Sequence, residues 1–397
     1  MTEVQATGAA EASTVVHGFC ADEFAPVRDA FAAELASGAE LGGSICLTVD
    51  GETVVDLWGG YADIDRTVAW RDDTLVNVFS ITKTMTALCA LLLVDRGLLD
   101  VDRPVADYWP EFAANGKEGV LVRHVLGHTS GVSGWDRPIE LADIYDHEAA
   151  AARLATQAPW WEPGTASGYH ALNYGHLVGE LIRRIDGRTL GVFFAEELAG
   201  PLGADFHIGT GPQNFDRIAP IVPAPALNFD MATLDQDSIL VKTLTCPMLD
   251  MEQTSSPEWR QAEIGAANGH GNARSIARVQ SLVACGGVLD GKRLLAPSTI
   301  DLIFREQADG VDLGILTPLK FGIGYGLPQP TTAPLVRDGR VCWWAGFGGS
   351  LVVNDLDRRT TFAYAMNQLG PALIGSERSD AYLRAANAVL DERAAAN

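Results

Sequence analysis

Ser80-Ile81-Thr82-Lys83-Thr84-Met85-Thr86-Ala87-Leu88-Cys89-Ala90-Leu91-Leu92-Leu93-Val94-Asp95-Arg96-Gly97 opens on a Ser-x-x-Lys spacing. It continues as an apolar helix pattern, Ile81–Arg96, closed by a glycine. Residues three apart share a helix face, so this spacing brings the Lys83 amine within reach of the Ser80 hydroxyl. The free N–H groups and the dipole of a first helical turn also favour negative charge beside Ser80. A serine hydroxyl is a weak nucleophile unaided and needs such a neighbour. The bland alternative is a helix-opening serine followed by a solvated lysine. Lysine is scarce here, at positions 83, 117, 242, 292 and 320 only, which makes a chance match harder to obtain.

Upstream, Glu23 to Ala36 carries Phe24, Val27, Phe31 and Leu35 at helical spacing. Ser44–Val49 and Thr53–Trp58 are β-rich runs joined by Asp50-Gly51, a strong hairpin signal. The opening thus reads helix, strand, strand, after a tail at residues 1–15 expected to be disordered. Downstream, Leu141–Gln157, Gly175–Ile185, Thr189–Leu198 and Ala273–Ala284 read as helices. Thr210 to Glu258 shows little periodicity and is expected to be a long loop near the mouth of a site. Val341–Trp344, Ser350–Asn354 and Thr360–Met366 read as antiparallel strands, and Asp380–Arg393 as a closing helix. This order predicts an α+β fold in one catalytic domain spanning 1–397. An antiparallel sheet built from segments 16–79 and 310–397 would be flanked by helices, with a mainly helical region, 80–309, inserted within it.

Composition narrows the function classes. The chain has 397 residues, 47% of them hydrophobic, and 29 basic against 51 acidic side chains, a formal charge of −22. Such a surface repels phosphate backbones and anionic lipids, so neither nucleic acid nor membrane is expected as a partner. The longest strongly apolar stretch, Ala87 to Val94, is too short to span a bilayer. No basic residue precedes Arg28, and no long apolar run is present at the N-terminus, so a cytoplasmic location is expected. Cys20, Cys46, Cys89, Cys246, Cys285 and Cys342 form no Cys-x-x-Cys pair and read as reduced core thiols.

Six segments in order carry a family resemblance: Phe79-Ser80-Ile81-Thr82-Lys83, Val125-Leu126-Gly127-His128-Thr129-Ser130-Gly131, Glu162-Pro163-Gly164-Thr165 with Tyr169 following, Asn268-Gly269-His270-Gly271, Phe321-Gly322-Ile323-Gly324-Tyr325, and Trp344-Ala345-Gly346-Phe347-Gly348-Gly349-Ser350. Over roughly Val16 to Leu390 the chain resembles the class C β-lactamases and penicillin-recognising peptidases. Within that superfamily it is most similar to the family VIII carboxylesterases. The resemblance implies Ser80 as nucleophile, with Lys83 and Tyr169 handling protons; Tyr174 is the local competitor for the tyrosine role. A charged Lys83 would favour the Tyr169 phenolate, and a neutral Lys83 would take the proton itself. Both stay open on sequence alone.

The resemblance also implies backbone N–H groups of Ser80 and Phe347 as an oxyanion hole. Where relatives carry Lys-Thr-Gly, this chain has Trp344-Ala345-Gly346, which replaces a carboxylate-binding cation by an apolar wall with one donor. Where β-lactamases carry Asn two residues after the tyrosine, it has Ala171. Both departures point away from amides and towards esters. The small Ala345 and Gly346 are expected to let substrate approach the strand. Trp135, Trp160 and Trp161 flank these segments and fit either pocket lining or core packing, with Trp135 carried forward as a binding residue. His124-x-x-x-His128 has metal-ligand spacing but no third ligand, so no metal is expected. No organic cofactor is implied. The expected activity is carboxylesterase chemistry on a small-molecule ester. Acyl transfer and amide or β-lactam hydrolysis by the same residues are the alternatives, and oligomeric state is not legible.

Overall fold

The computed structural model describes residues 15–224 and 233–396. The expected tail lies almost wholly outside the described residues, as does part of the 210–258 segment.

Asp50 and Gly51 both have positive φ, 53° and 84°, the backbone a two-residue hairpin turn requires. They join strands Gly42–Val49 and Glu52–Gly60. Strand Thr360–Met366 lies antiparallel against Gly42–Val49, pairing Leu47 with Phe362 and Ile45 with Tyr364. Leu351–Asp355 and Val341–Ala345 continue the sheet on that side. The result is a six-stranded antiparallel sheet contributed by both ends of the chain. Its outermost N-terminal strand, Val16–Cys20, pairs with Glu52–Gly60 and is an addition to the helix–strand–strand reading. That strand is mostly exposed and contains Gly18 at φ 106°, so it lacks the apolar alternation that marks a strand in sequence.

Side chains alternate across the pleat, which gives each face its own core. Ile45, Leu47, Phe362 and Tyr364 pack against Phe24 of the preceding turn, against Val27, Phe31 and Leu35 of helix Ala25–Ser37, and against Tyr382, Leu383 and Ala386 of helix Glu377–Ala396. Cys46, Ala363 and Ala365 face the larger core, which includes Ile276, Val279 and Val283 of helix Ala273–Ala284 and the apolar helix Thr82–Asp95. Helix Tyr174–Asp186 packs against Thr82–Asp95.

Two stretches depart from expectation. Leu141–Gln157 breaks into a short 3-10 turn, Leu141–Ile144, and a helix, His147–Thr156, because the Asp146 carboxylate accepts from Ala149 N–H and starts a new helix there. The segment expected to be a loop contains a helix, Ile239–Thr245, capped by the Ser238 hydroxyl accepting from Val241 N–H. Its β-branched Ile239, Val241, Thr243 and Thr245 obscure the helical pattern.

A buried ion pair ties the sheet to the last helix. Arg378 Nη1 donates to Glu40 Oε1 at 2.7 Å, and Arg378 Nη2 donates to the Gln368 carbonyl. The Tyr364 and Tyr382 hydroxyls donate to the other Glu40 oxygen. Removing one partner strands the other charge in the interior. Arg378→Met is expected to cost about 3–5 kcal/mol in denaturant unfolding; a loss below about 1 kcal/mol would show that the pair carries little of the fold.

Candidate active site

Phe79, just before the candidate nucleophile, has φ 45°, a left-handed conformation that costs a bulky residue energy. It is held there from three sides. Val78 N–H donates to the Gly269 carbonyl, Phe79 bridges Asn268, and the Thr82 hydroxyl donates to the Phe79 carbonyl. The turn places Ser80 just ahead of helix Thr82–Asp95, with Lys83 in the helix's first turn.

Lys83 is buried, and its Nζ lies 3.1 Å from Ser80 Oγ, 2.8 Å from the Ala171 carbonyl and 2.9 Å from the Ala266 carbonyl. Burial pushes its pKa well below the usual lysine value, and no charged neighbour among the described residues offsets that push. Tyr169 is also buried, with its ring 4.6 Å from Lys83 Nζ. Desolvation raises its pKa, opposed by hydrogen bonding with Ser80 and Trp344. Each environment therefore favours the neutral form, amine and phenol.

Tyr174, the competitor, is fully buried, and its hydroxyl has no hydrogen-bond partner among the described residues. It is a packing residue on the far side of His128, 5.0 Å between ring centroids.

Trp344 does more than form a wall. Its indole N–H donates to the Tyr169 hydroxyl at 3.2 Å, and its ring lies 5.3 Å from those of Tyr169 and Phe321. His128, with φ 61°, fills the space between Tyr169, Phe321 and Tyr174. Its Nδ1 accepts from His170 N–H, which assigns the ring proton to Nε2. Burial holds His128 well below the ordinary histidine pKa, reinforced by His170 and Lys83. Ile315, Leu319, Leu244 and Ile374 complete the apolar surround. Leu244 belongs to the unexpected helix Ile239–Thr245.

The Ala345–Ser350 turn docks onto the nucleophile turn. Ser350 Oγ donates to the Val78 carbonyl, and the Phe79 and Phe347 rings meet edge-on at 5.9 Å. A Cβ on Gly346 would stand 2.3 Å from the Val78 oxygen and 2.2 Å from Ser350 Oγ. Gly346 thus makes room for protein backbone, a correction to its expected role of admitting substrate. Ala345 is likewise corrected: strand alternation points it into the core opposite Trp344. Among the described residues, neither Ser80 N–H nor Phe347 N–H has a backbone acceptor.

Trp135 does not belong to the site. It is fully buried in the helical core, its indole N–H donates to the Ala150 carbonyl, and its ring meets His176 edge-on. A tryptophan beside a recognised motif can face either way, and here the helix His147–Thr156 supplies the indole's acceptor. His124 accepts from Leu121 N–H at the start of its own helix, and burial holds its pKa down at about 4. No cluster of three or more His, Cys, Asp or Glu among the described residues could hold a metal ion. No helix among them is long and apolar enough to cross a membrane.

Two groups at the site escape sequence reasoning. The acceptors that fix Lys83 are main-chain carbonyls, which carry no residue signature. Asp312, which accepts from Tyr169 N–H at 2.9 Å, lies 143 residues downstream in a loop without a motif.

The beta-lactamase family profile matches residues 27–387. The chain belongs to the beta-lactamase family. It is a serine hydrolase of that family, with relatives on the esterase side. It is 35% identical over 391 residues to the esterase/beta-lactamase LipL of Mycobacterium tuberculosis, covering 93% of this chain and 87% of that protein. A crystal structure of a family VIII carboxylesterase superposes with TM-score 0.89 at 39% identity, covering 94% of this chain and all of the other. A penicillin-binding protein homologue from Caulobacter crescentus superposes with TM-score 0.87 at 38% identity, covering 95% of this chain and all of the other.

The two tyrosines give a direct test. Tyr169→Phe is expected to lower kcat by roughly 10²- to 10⁴-fold, whereas Tyr174→Phe, which removes an unpaired buried hydroxyl, should leave kcat within about threefold. Steady-state rates of both variants on one activated ester decide it; the reverse ranking would reassign the tyrosine role.

Proposed function

We propose that the chain is a carboxylesterase that hydrolyses small carboxylic esters through an acyl-enzyme on Ser80. The observation that carries this reading is the bonding of Lys83. A neutral amine has two N–H bonds and one lone pair. The two hydrogens match the Ala171 and Ala266 carbonyls, and the lone pair is then left facing the Ser80 hydroxyl. Lys83 accordingly acts as the general base for acylation.

The Ser80 proton passes to Lys83 as the serine oxygen attacks the ester carbonyl. The carbonyl oxygen becomes an oxyanion facing the N–H groups of Ser80 and Phe347. Tyr169, kept as a phenol by burial and facing Ser80, protonates the departing alkoxide, and the Lys83 ammonium returns a proton to it. Water then attacks the acyl-enzyme along the reverse proton path, which releases the acid and restores Ser80.

The ester preference rests on Trp344 and Ala171. A β-lactam or peptide carboxylate would meet an indole whose only donor already serves Tyr169. Ala171 offers an amide substrate no side-chain hydrogen bond and contributes its carbonyl to Lys83 instead.

Short-chain p-nitrophenyl esters and nitrocefin, assayed side by side, test the reading. Ester turnover is expected to dominate and to fall below about 1% of the parent rate in Ser80→Ala. Comparable nitrocefin cleavage, or ester turnover that survives the substitution, contradicts it.

The pH profile has a defined sign. Lys83 is lowered in the folded protein and works as the neutral base, so activity is present above its folded pKa and lost as pH falls through it. The log of kcat/KM is expected to rise with pH to a half-point well below the ordinary lysine value of about 10.4. A profile that falls with rising pH through neutrality would assign the base elsewhere.

A further inference from the structure

From the loop between strands Ala308–Val311 and Pro318–Phe321 we infer that Asp312 is a positioning residue for Tyr169, fixing the main chain that carries the phenol. The inference rests on the catalytic reading of Tyr169.

The Asp312 side chain is buried, and one oxygen, Oδ1, accepts three backbone N–H bonds: Tyr169 at 2.9 Å, Gly314 at 2.8 Å and Ile315 at 3.1 Å. The loop folds tightly about this carboxylate. Asp312 N–H donates to the Thr317 carbonyl, Leu316 N–H to the Asp312 carbonyl, and Leu316 adopts φ 51°. Leu313 N–H donates to the Ser167 carbonyl at 2.8 Å, so the loop grips the tyrosine segment at two points. A Cβ on Gly314 would stand 2.9 Å from Tyr169 N; only glycine allows so close an approach.

On the other side, His128 holds both neighbours of Tyr169. Its carbonyl accepts from Gly168 N–H, and its Nδ1 accepts from His170 N–H. Tyr169 N–H itself is left to Asp312. The phenol's own contacts with Trp344 and Ser80 lie at the far end of the side chain, so Asp312 sets where the residue starts and those contacts set where it ends. Without Asp312, His128 still holds Gly168 and His170, but the main chain of Tyr169 between them loses its own anchor. Displacements of about 1 Å at a reacting group cost up to roughly 10²-fold in rate.

A double-mutant cycle on full-length protein tests this. Asp312→Ala is expected to lower kcat by roughly 10- to 100-fold with KM changed less than about threefold. Asp312→Asn, which retains an oxygen acceptor, should recover most of that loss. In a Tyr169→Phe background, Asp312→Ala should lower kcat less than about twofold further, because the residue it positions no longer moves a proton. A purely structural role would lower kcat by the same factor in both backgrounds, and that additivity overturns the inference, as does an Asn variant as slow as Ala. If Asp312→Ala does not fold, Asp312→Leu, which likewise has no acceptor, takes its place in the cycle with the same expectations. Should Tyr169→Phe by itself leave kcat unchanged, the catalytic reading of Tyr169 fails; additivity alongside a slow Tyr169→Phe removes only the role given to Asp312.

Discussion

Lys83 is a buried lysine whose surroundings bring it close to two main-chain carbonyls and one serine hydroxyl. Desolvation works against its charge. An interior ammonium normally needs a carboxylate partner; a neutral amine needs only acceptors for its hydrogens, and the site supplies two. Those carbonyls come from Ala171 and Ala266, far apart in sequence, so the surroundings of the amine are assembled only when the helical region has closed around helix Thr82–Asp95. The strained Phe79, the Gly269 carbonyl beneath it and the turn beginning at Gly346 all bear on where Ser80 sits relative to that amine.

A second consequence follows from what surrounds the phenol. Tyr169, Trp344, His128 and Phe321 form one aromatic group, and apart from the bond between Tyr169 and Ser80 its hydrogen bonds are internal or main-chain. A tryptophan at position 344 places no positive charge beside Tyr169 that would pull it towards phenolate. It supplies a neutral donor in the same place. In the proposed mechanism one residue, Trp344, would thus serve both the ester preference and the phenol form of Tyr169.

The sheet was legible because its strands announce themselves: Asp50-Gly51 between β-rich runs, and the three closely spaced strands before the last helix. The contact of Ser80 with Lys83 was legible because Ser-x-x-Lys is a local spacing, satisfied within one helical turn. What escaped was either unpatterned or set at long range. Strand Val16–Cys20 lies exposed at the sheet edge, without apolar alternation. Helix Ile239–Thr245 carries a β-branched residue at every second position and is held by its cap and by packing of Val241 and Thr243. Trp135 stands beside a motif, yet its side chain turns inward to an acceptor that only the fold provides. Ala345 and Gly346 were assigned to substrate by their size, whereas the fold turns Ala345 into the core and uses the missing Cβ of Gly346 to admit the Val78 backbone.

The central claim is that Ser80, deprotonated by its buried lysine, carries the acyl group. Acid quenching during turnover of p-nitrophenyl acetate, followed by mass spectrometry of the digested protein, tests it most directly. The account predicts a single acetyl group on the peptide containing Ser80, formed as p-nitrophenol is released in a burst. Turnover that leaves that peptide unmodified, or an acetyl group stably carried by Lys83 or another residue, would contradict it.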